Sequence, residues 1–169
     1  MTDVYQRLAN HLDNLPGGFP PTETGVELRI LKRLFSKEEA EIVPGLTMML
    51  EPVSAIAARM ERDSAELAKM LEDMSKKGLI FRSSKGGEKH YMAAQFVIGI
   101  WEYHLNDLDE DLIRDVNEYL PHFMKAGWVN QKTRQLRVVP ISKSISAEIS
   151  VMPYEVAEEI VKRQSKIVV

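Results

Sequence analysis

The chain has 169 residues, of which 44% are hydrophobic and 28% are charged, and its formal net charge at pH 7 is −3. A chain of this size can bury a core in one or two small domains, and its slightly acidic balance argues against a protein that binds polyanions through bulk charge. The chain contains no cysteine, which excludes disulfides, thiolate nucleophiles and cysteine-ligated metals from these residues.

The N-terminal part of the chain is predicted to form three helices. Apolar residues at helical spacing predict a first helix over about residues 3–14 and, after a loop rich in proline and glycine, a second over 24–35. The pattern S-x-x-E at Ser36 and Glu39 is a capping box that starts a third helix, which ends before Pro44. The polar N-terminus lacks a signal-peptide core, and no apolar run approaches the roughly 20 residues that span a bilayer. We therefore expect a cytoplasmic protein with no membrane partner.

The stretch 53–96 has the pattern of a winged helix-turn-helix. VSAIAARM repeats apolar residues on one helical face, and Asp63 with Glu66 then forms a D-x-x-E variant of the capping box. The second helix, SAELAKMLEDMSKK, is predicted to stop at Gly78. LIFRSS, the turn KGGEKH and YMAAQF follow as a two-stranded ribbon. Helix, turn, helix and ribbon is the order of a winged helix, and we place that domain at 22–96.

Beyond this domain the chain is predicted to continue as helices, and its tail is predicted to contain strands as well. The apolar stretch 96–103 predicts a helix that packs on the winged helix or on a second subunit, and 106–127 predicts another helix or a pair of helices, broken or kinked at Pro121. The tail predicts a strand, a helix and a strand over 135–141, 153–164 and 166–169.

These elements predict a mainly α chain with a small β component, an α+β fold. Its predicted parts are an N-terminal helix and loop, the winged helix-turn-helix, a helical extension and a strand–helix–strand tail, at 1–21, 22–96, 97–134 and 135–169. The chain stops within an apolar strand-like run. We therefore expect the tail to be the start of a truncated C-terminal domain.

DNA recognition is the obvious function for a winged helix, and it would use the outer face of the second helix. The positions that would face a DNA groove, or a partner, are Ser64, Glu66, Lys69, Asp73 and Lys76. Two of them, Glu66 and Asp73, are carboxylates, and Glu72 lies beside them. DNA-binding proteins usually place hydrogen-bond donors at such positions, and carboxylates repel the DNA phosphates. Positive charge gathers instead in the ribbon, at Arg82, Lys85 and Lys89. Eight Lys and Arg against six Asp and Glu give 53–96 a net charge of only +2, so DNA binding is possible but is the less favoured interpretation.

The remaining patterns do not predict a catalytic or metal site. The acidic stretch from Asp107 to Glu118 approaches calcium-loop spacing, but Leu112 stands where the loop needs glycine, so acidic residues stabilising a helix N-terminus are the better interpretation. The four histidines lack zinc-site spacing, and no phosphate loop or nucleophile turn is present. We predict that the chain is not an enzyme and holds no cofactor of its own. A possible interface lies in the apolar stretch, at Phe96, Ile100, Trp101 and Tyr103.

Six stretches spread over most of the chain are informative when taken together: LPGGFP at 15–20, GVELRIL at 25–31, LFSKEEA at 34–40, KGLIFR at 77–82, YMAAQFVIGIWE at 91–102 and MPYE at 152–155. They resemble the N-terminal region of bacterial and archaeal 4Fe-4S ferredoxin-type proteins. In that family this region is followed by cysteine-rich segments that hold iron–sulfur clusters. The resemblance implies that 4Fe-4S clusters belong to a C-terminal region missing from this chain, and that no cluster ligand lies within it.

Two functions follow as hypotheses. The favoured one is a winged-helix adaptor of an iron–sulfur electron-transfer protein, whose partner is its own C-terminal iron–sulfur region or a redox partner protein. The alternative is a DNA-binding transcriptional regulator of the MarR or ArsR type, a homodimer formed through helices outside the winged helix. The substitution Lys69→Ala distinguishes the two hypotheses. It should weaken duplex binding and reduce the salt dependence of that binding only if the protein recognises DNA.

Overall fold

The computed structural model of the chain describes residues 3–129 and 154–165, and the chain forms two compact units, 1–135 and 136–169. The described residues are mainly helical, with one three-stranded antiparallel sheet, which confirms the α+β class predicted from the sequence. None of the helices within these residues is long and apolar enough to cross a membrane.

The first unit opens with three helices: α1 (Val4–Asp13), α2 (Val26–Leu34) and α3 (Lys37–Ile42). The predicted capping box starts α3, since Glu39 N–H donates to Ser36 Oγ at 3.2 Å and Ser36 N–H donates to Glu39 Oε2 at 2.8 Å. A short 3₁₀ turn over Val43–Gly45 follows, in agreement with the predicted end of this helix near Pro44. The local sequence pattern therefore sets the start and the end of α3.

Two helices and a hairpin come next: α4 (Val53–Met60), α5 (Ser64–Lys76), β2 (Ile80–Lys85) and β3 (Glu88–Ala93), with β1 (Glu51–Pro52) before them. The strands lie in the order β1-β3-β2, and Arg82 faces Tyr91 across the hairpin. Asp63 caps α5 by accepting from the amides of Ala65 and Glu66. The described hydrogen bonds include no reciprocal bond from the Asp63 amide to the Glu66 carboxylate, so only half of the predicted capping box forms.

The turn from α5 into β2 requires glycine. Gly78 has φ +80°, a left-handed conformation, and a Cβ at this position would overlap the Cβ of Tyr103. The sequence pattern predicted the stop at Gly78, and the structure adds the close approach of Tyr103 as a second reason for glycine at this position.

Gly78→Ala is expected to lower the free energy of unfolding by about 2 kcal/mol, because the alanine combines a left-handed backbone with a steric overlap. Gly86, in the hairpin turn, is the matched control: its φ is +61°, but a Cβ there meets nothing within 4 Å. Gly86→Ala should therefore lower the free energy of unfolding by only about 1 kcal/mol, because it places an alanine in a left-handed backbone conformation without a steric overlap. Urea denaturation of both variants checks this, and equal losses would contradict the contact with Tyr103.

The apolar stretch after the hairpin is less helical than predicted. Only its last part forms a helix, α6 (Ile100–Tyr103), while residues 94–99 make turns and an isolated bridge between Gln95 and Gly99. The structure therefore corrects the helix predicted over 96–103. The reason is local: Gly99 is not helical and is the N-cap of α6, and its N–H donates to Glu102 Oε2 at 2.6 Å, so the helix begins only at Ile100.

The sequence predicts a break or a kink at Pro121, and the structure shows no break there. A single helix, α7 (Glu110–Phe123), includes this proline, and a π-helical turn over Met124–Val129 continues from it. The amide of Met124 donates to the carbonyls of Leu120 and Pro121, so helical bonding continues past the proline. Tyr119 and Phe123 are fully buried on either side of Pro121, and their packing holds both halves of the helix on the core.

An aromatic cluster forms the centre of the first unit. Phe96 packs against Phe19, Tyr119 and Phe123 with ring centroids 5.0–6.1 Å apart. These residues come from the loop after α1, the apolar stretch and α7. The cluster therefore joins the beginning, middle and end of the first unit.

The second unit is described only in part. It contains α8 (Tyr154–Lys162), which confirms the helix predicted over 153–164. The strands predicted over 135–141 and 166–169 lie outside the described residues.

Candidate functional site

The candidate site is the outer face of α5 together with the β2–β3 hairpin. Leu67, Leu71 and Met74 are buried, as the helical pattern predicted. The opposite face is exposed, and it carries all five residues predicted from the sequence: Ser64, Glu66, Lys69, Asp73 and Lys76. This face is therefore accessible to solvent, and its exposed side chains include both carboxylates and lysines.

Two cations of the hairpin, Arg82 and Lys89, are paired with Glu72 of α5. Arg82 Nη1 lies 2.7 Å from Glu72 Oε1, and Lys89 Nζ lies 3.0 Å from Glu72 Oε2. Lys76 Nζ lies 3.4 Å from Oε1, and the Tyr91 hydroxyl donates to Oε2 at 3.1 Å. We call these five side chains the Glu72 cluster. It joins α5 to both strands of the hairpin and places one carboxylate among three cations.

The electrostatics of the cluster favour the ionised carboxylate. Hydrogen bonds from Lys89 and Arg82 lower the pKa of Glu72 to about 2. Burial, and then the hydrogen bond to Glu72, raise the pKa of Tyr91 to about 12. Glu72 is therefore charged and Tyr91 neutral at physiological pH, which is the pairing in which the hydroxyl donates and the carboxylate accepts.

The pH dependence of folding should report the Glu72 cluster. A folded-state pKa lowered from 4.5 to about 2 stabilises the fold above pH 4.5, and this contribution is lost as the pH falls from 4.5 to about 2. Glu72→Gln should remove this part of the pH dependence, so its urea midpoint should fall less over the same window than that of the natural protein. The matched control is Glu66→Gln, an exposed carboxylate of α5 with no ion pair in the described structure, which should keep the natural pH dependence. If the urea midpoint of Glu72→Gln fell with pH as steeply as that of the natural protein, the stabilising role of the ionised Glu72 would be contradicted.

A groove lies beside the Glu72 cluster, between the beginnings of α4 and α5 and the tip of the hairpin. Its volume is about 600 Å³. Apolar surface comes from Val53, Ala68 and Tyr91, and charged side chains come from Lys69 and Lys89 and from the two carboxylates Glu72 and Glu88. A space of this size is within the range of pockets that hold small ligands or a few side chains of a peptide.

Lys85 and the predicted interface residues take different positions. Lys85 is the last residue of β2, and its backbone lies opposite that of Glu88 in the register of the two strands. Phe96 and Ile100 lie in the core of this chain, so they present no surface to a partner. Trp101 is half-buried against Phe96, whereas Tyr103 is 56% exposed and packs edge-on against Phe81 at 5.8 Å.

The acidic residues near the start of α7 have structural partners. Asp109 is the N-cap and accepts from the amide of Leu112 at 2.9 Å, as the helix N-terminus interpretation predicted. Arg33 of α2 forms ion pairs with Asp109 and Asp111. Over 3–129 and 154–165, no group of three or more histidine, aspartate or glutamate side chains is placed to hold a metal ion.

Comparisons with known proteins do not assign this chain to a family. No protein-family model, no curated protein and no solved structure matches the chain. The resemblance to 4Fe-4S ferredoxin-type proteins stays a prediction from the sequence. The features that bear on function are the exposed face of α5, the Glu72 cluster and the groove beside it.

Proposed function

We propose that the first unit is a winged-helix module that acts through protein contacts, as an adaptor of an iron–sulfur electron-transfer protein. The order α4, α5, β2, β3, with a short turn between the helices, supports the winged-helix assignment. The six stretches that resemble 4Fe-4S ferredoxin-type proteins support the iron–sulfur context. The clusters would lie in a C-terminal region, and this unit would contribute contacts to that region or to a redox partner rather than chemistry.

The observation that carries the proposal is the Glu72 cluster. A winged helix that binds DNA needs hairpin cations available to phosphates, since phosphate contacts supply most of the non-specific affinity. Here Arg82 and Lys89 are bonded to Glu72, so a phosphate would have to displace a carboxylate already in place. Glu66 and Asp73 add two exposed carboxylates to the same face. This face is better suited to a protein partner than to a polyanion.

The experiment that tests the proposal is fluorescence anisotropy with a labelled mixed-sequence DNA duplex. At about 50 mM salt we expect no salt-sensitive binding with a Kd below ~100 μM, the weak end of the non-specific range. Micromolar affinity that falls with salt, and that is weakened by Lys69→Ala, would overturn the proposal in favour of a regulator of the MarR or ArsR type.

The iron–sulfur context has its own test. We expect the natural gene product in its source cells to be heavier than the 19.3 kDa of this chain and to contain iron and acid-labile sulfide after anaerobic purification. A product of the same mass with no iron would remove the iron–sulfur context.

A further inference from the structure

We propose that the exposed face of α7 is a dimerisation surface, against which a second copy of this chain packs in the antiparallel direction. The face is formed by Ile113, Asn117, Leu120 and Met124, and we call it the α7 stripe. This inference goes beyond the proposed function, because an adaptor could act either as a monomer or as a dimer.

The α7 stripe presents apolar side chains to solvent. Ile113 is 42% exposed, Met124 is 43% exposed, and Leu120 between them is partly buried. The helix packs on the core through a different set of residues, which are Leu112, Val116, Tyr119 and Phe123. A row of exposed apolar side chains on one helix face, unlike a single one, is typical of a contact surface.

The spacing of the α7 stripe is that of a coiled-coil seam. Its members follow one another at intervals of four, three and four residues, which are the a and d positions of a heptad. They therefore form one line along the helix, and a second helix with the same spacing can pack against that line. Asn117 takes an a position, where a single asparagine fixes the register and the number of helices in coiled coils.

Asn117 favours a second copy as the occupant of the stripe. In an antiparallel pair that places Ile113 of each copy opposite Met124 of the other, the two Asn117 residues lie on either side of the two-fold axis. They are then separated by roughly 4.5 Å along the helices, where each amide can donate to the other and accept from it. A purely apolar partner would instead bury this amide without a hydrogen bond, which is unfavourable.

The charges at the two ends of the stripe are complementary in the antiparallel direction. Glu110 lies one turn before the stripe on the same face, and Lys125 directly follows it. Both are exposed, and neither forms an ion pair within the residues that the structure describes, whereas the neighbouring Arg114 is already paired with Asp111 at 2.8 Å. Antiparallel packing brings Glu110 of each copy beside Lys125 of the other, and parallel packing would place like charges together.

The first test is sedimentation of the full chain between about 5 and 500 μM. We expect a reversible dimer with a micromolar Kd, because one helix from each copy covers less than the about 800 Å² per partner of a standard interface. Ile113→Asp should weaken the dimer more than tenfold, since it buries a carboxylate in the seam. The matched control is Met49→Asp, at an apolar residue that is 72% exposed and lies outside α7, and it should leave the Kd unchanged.

Reversal of the end charges tests the direction of packing. Glu110→Lys and Lys125→Glu should each weaken the dimer by about tenfold, and the double variant should restore the natural Kd. Glu66→Lys makes the same change of charge on α5, at a carboxylate without an ion pair in the described part of the chain, and should not weaken the dimer. Circular dichroism of each variant confirms that the fold is retained.

The outcomes separate the proposal from its alternatives. A chain that stays monomeric up to about 500 μM, or a dimer that Ile113→Asp does not weaken, overturns the α7 stripe as the dimer surface. Single charge reversals that the double variant fails to rescue overturn the antiparallel packing. Rescue by the double variant supports the proposal. The choice between an adaptor and a DNA-binding regulator is decided separately, by the duplex-binding measurement.

Discussion

Phe96→Ala is expected to lower the free energy of unfolding of the first unit by about 3–5 kcal/mol, the usual cost of removing a fully buried phenylalanine. Its side chain is completely buried, and its ring contacts three buried aromatic rings, from Phe19, Tyr119 and Phe123. Alanine would leave a cavity where three segments of the chain meet. Urea or guanidinium denaturation measures the loss.

The control for Phe96 is Tyr103, an aromatic residue of the same apolar stretch that is 56% exposed. Tyr103→Ala removes only the edge-on contact with Phe81, and should cost about 1 kcal/mol. Sedimentation of Phe96→Ala separates a core role from an interface role. A small loss of stability together with dissociation of a dimer would mean that Phe96 packs against a second subunit.

Glu72→Lys is expected to create salt-dependent DNA binding where the natural chain has little. The change removes the acceptor that holds Arg82 and Lys89 and alters the local charge by two units. Freed hairpin cations would contact phosphates, and each phosphate contact adds about 0.9 to the slope of log affinity against log salt. We expect at least a tenfold gain in duplex affinity at about 50 mM salt, measured by anisotropy.

The control for this gain is Glu66→Lys, which makes the same change of charge on the same helix. Glu66 forms no ion pair with Arg82 or Lys89, so its replacement leaves the Glu72 cluster in place. It should raise duplex affinity much less than Glu72→Lys. Equal gains would mean that the net charge of the face, and not the release of the hairpin cations, limits DNA binding.

The sequence predicted the elements whose signals are local. The capping box at Ser36 and Glu39, the N-cap at Asp63 and the stop at Gly78 depend on residues within one helical turn of each other, and all three are present. The inward residues of α5, Leu67, Leu71 and Met74, follow from helical periodicity alone. For the same reason the five outward residues of the candidate site could be predicted before the structure was known.

The apolar stretch and α7 show where local signals are insufficient. The apolar run predicted a helix over 96–103, but Gly99 is non-helical and caps α6, so the helix begins only at Ile100. The proline predicted a break or a kink at Pro121, but one helix continues across it, with Tyr119 and Phe123 fully buried on either side. At Pro121 tertiary packing overrides the intrinsic preference against an internal proline, because burying large aromatic side chains is worth more than the local cost.

The sequence by itself determined the α+β class, most helix ends and which residues of α5 face outward, because these depend on neighbours a few positions apart. Only the tertiary structure decided what those residues can do. Glu72 was visible in the sequence only as one more acidic residue, and its partners Arg82, Lys89 and Tyr91 lie 10 to 19 positions away. The hairpin folds back over α5 and brings these charges together. That long-range pairing occupies Arg82 and Lys89, whereas Lys69 forms no ion pair with the residues that the structure describes.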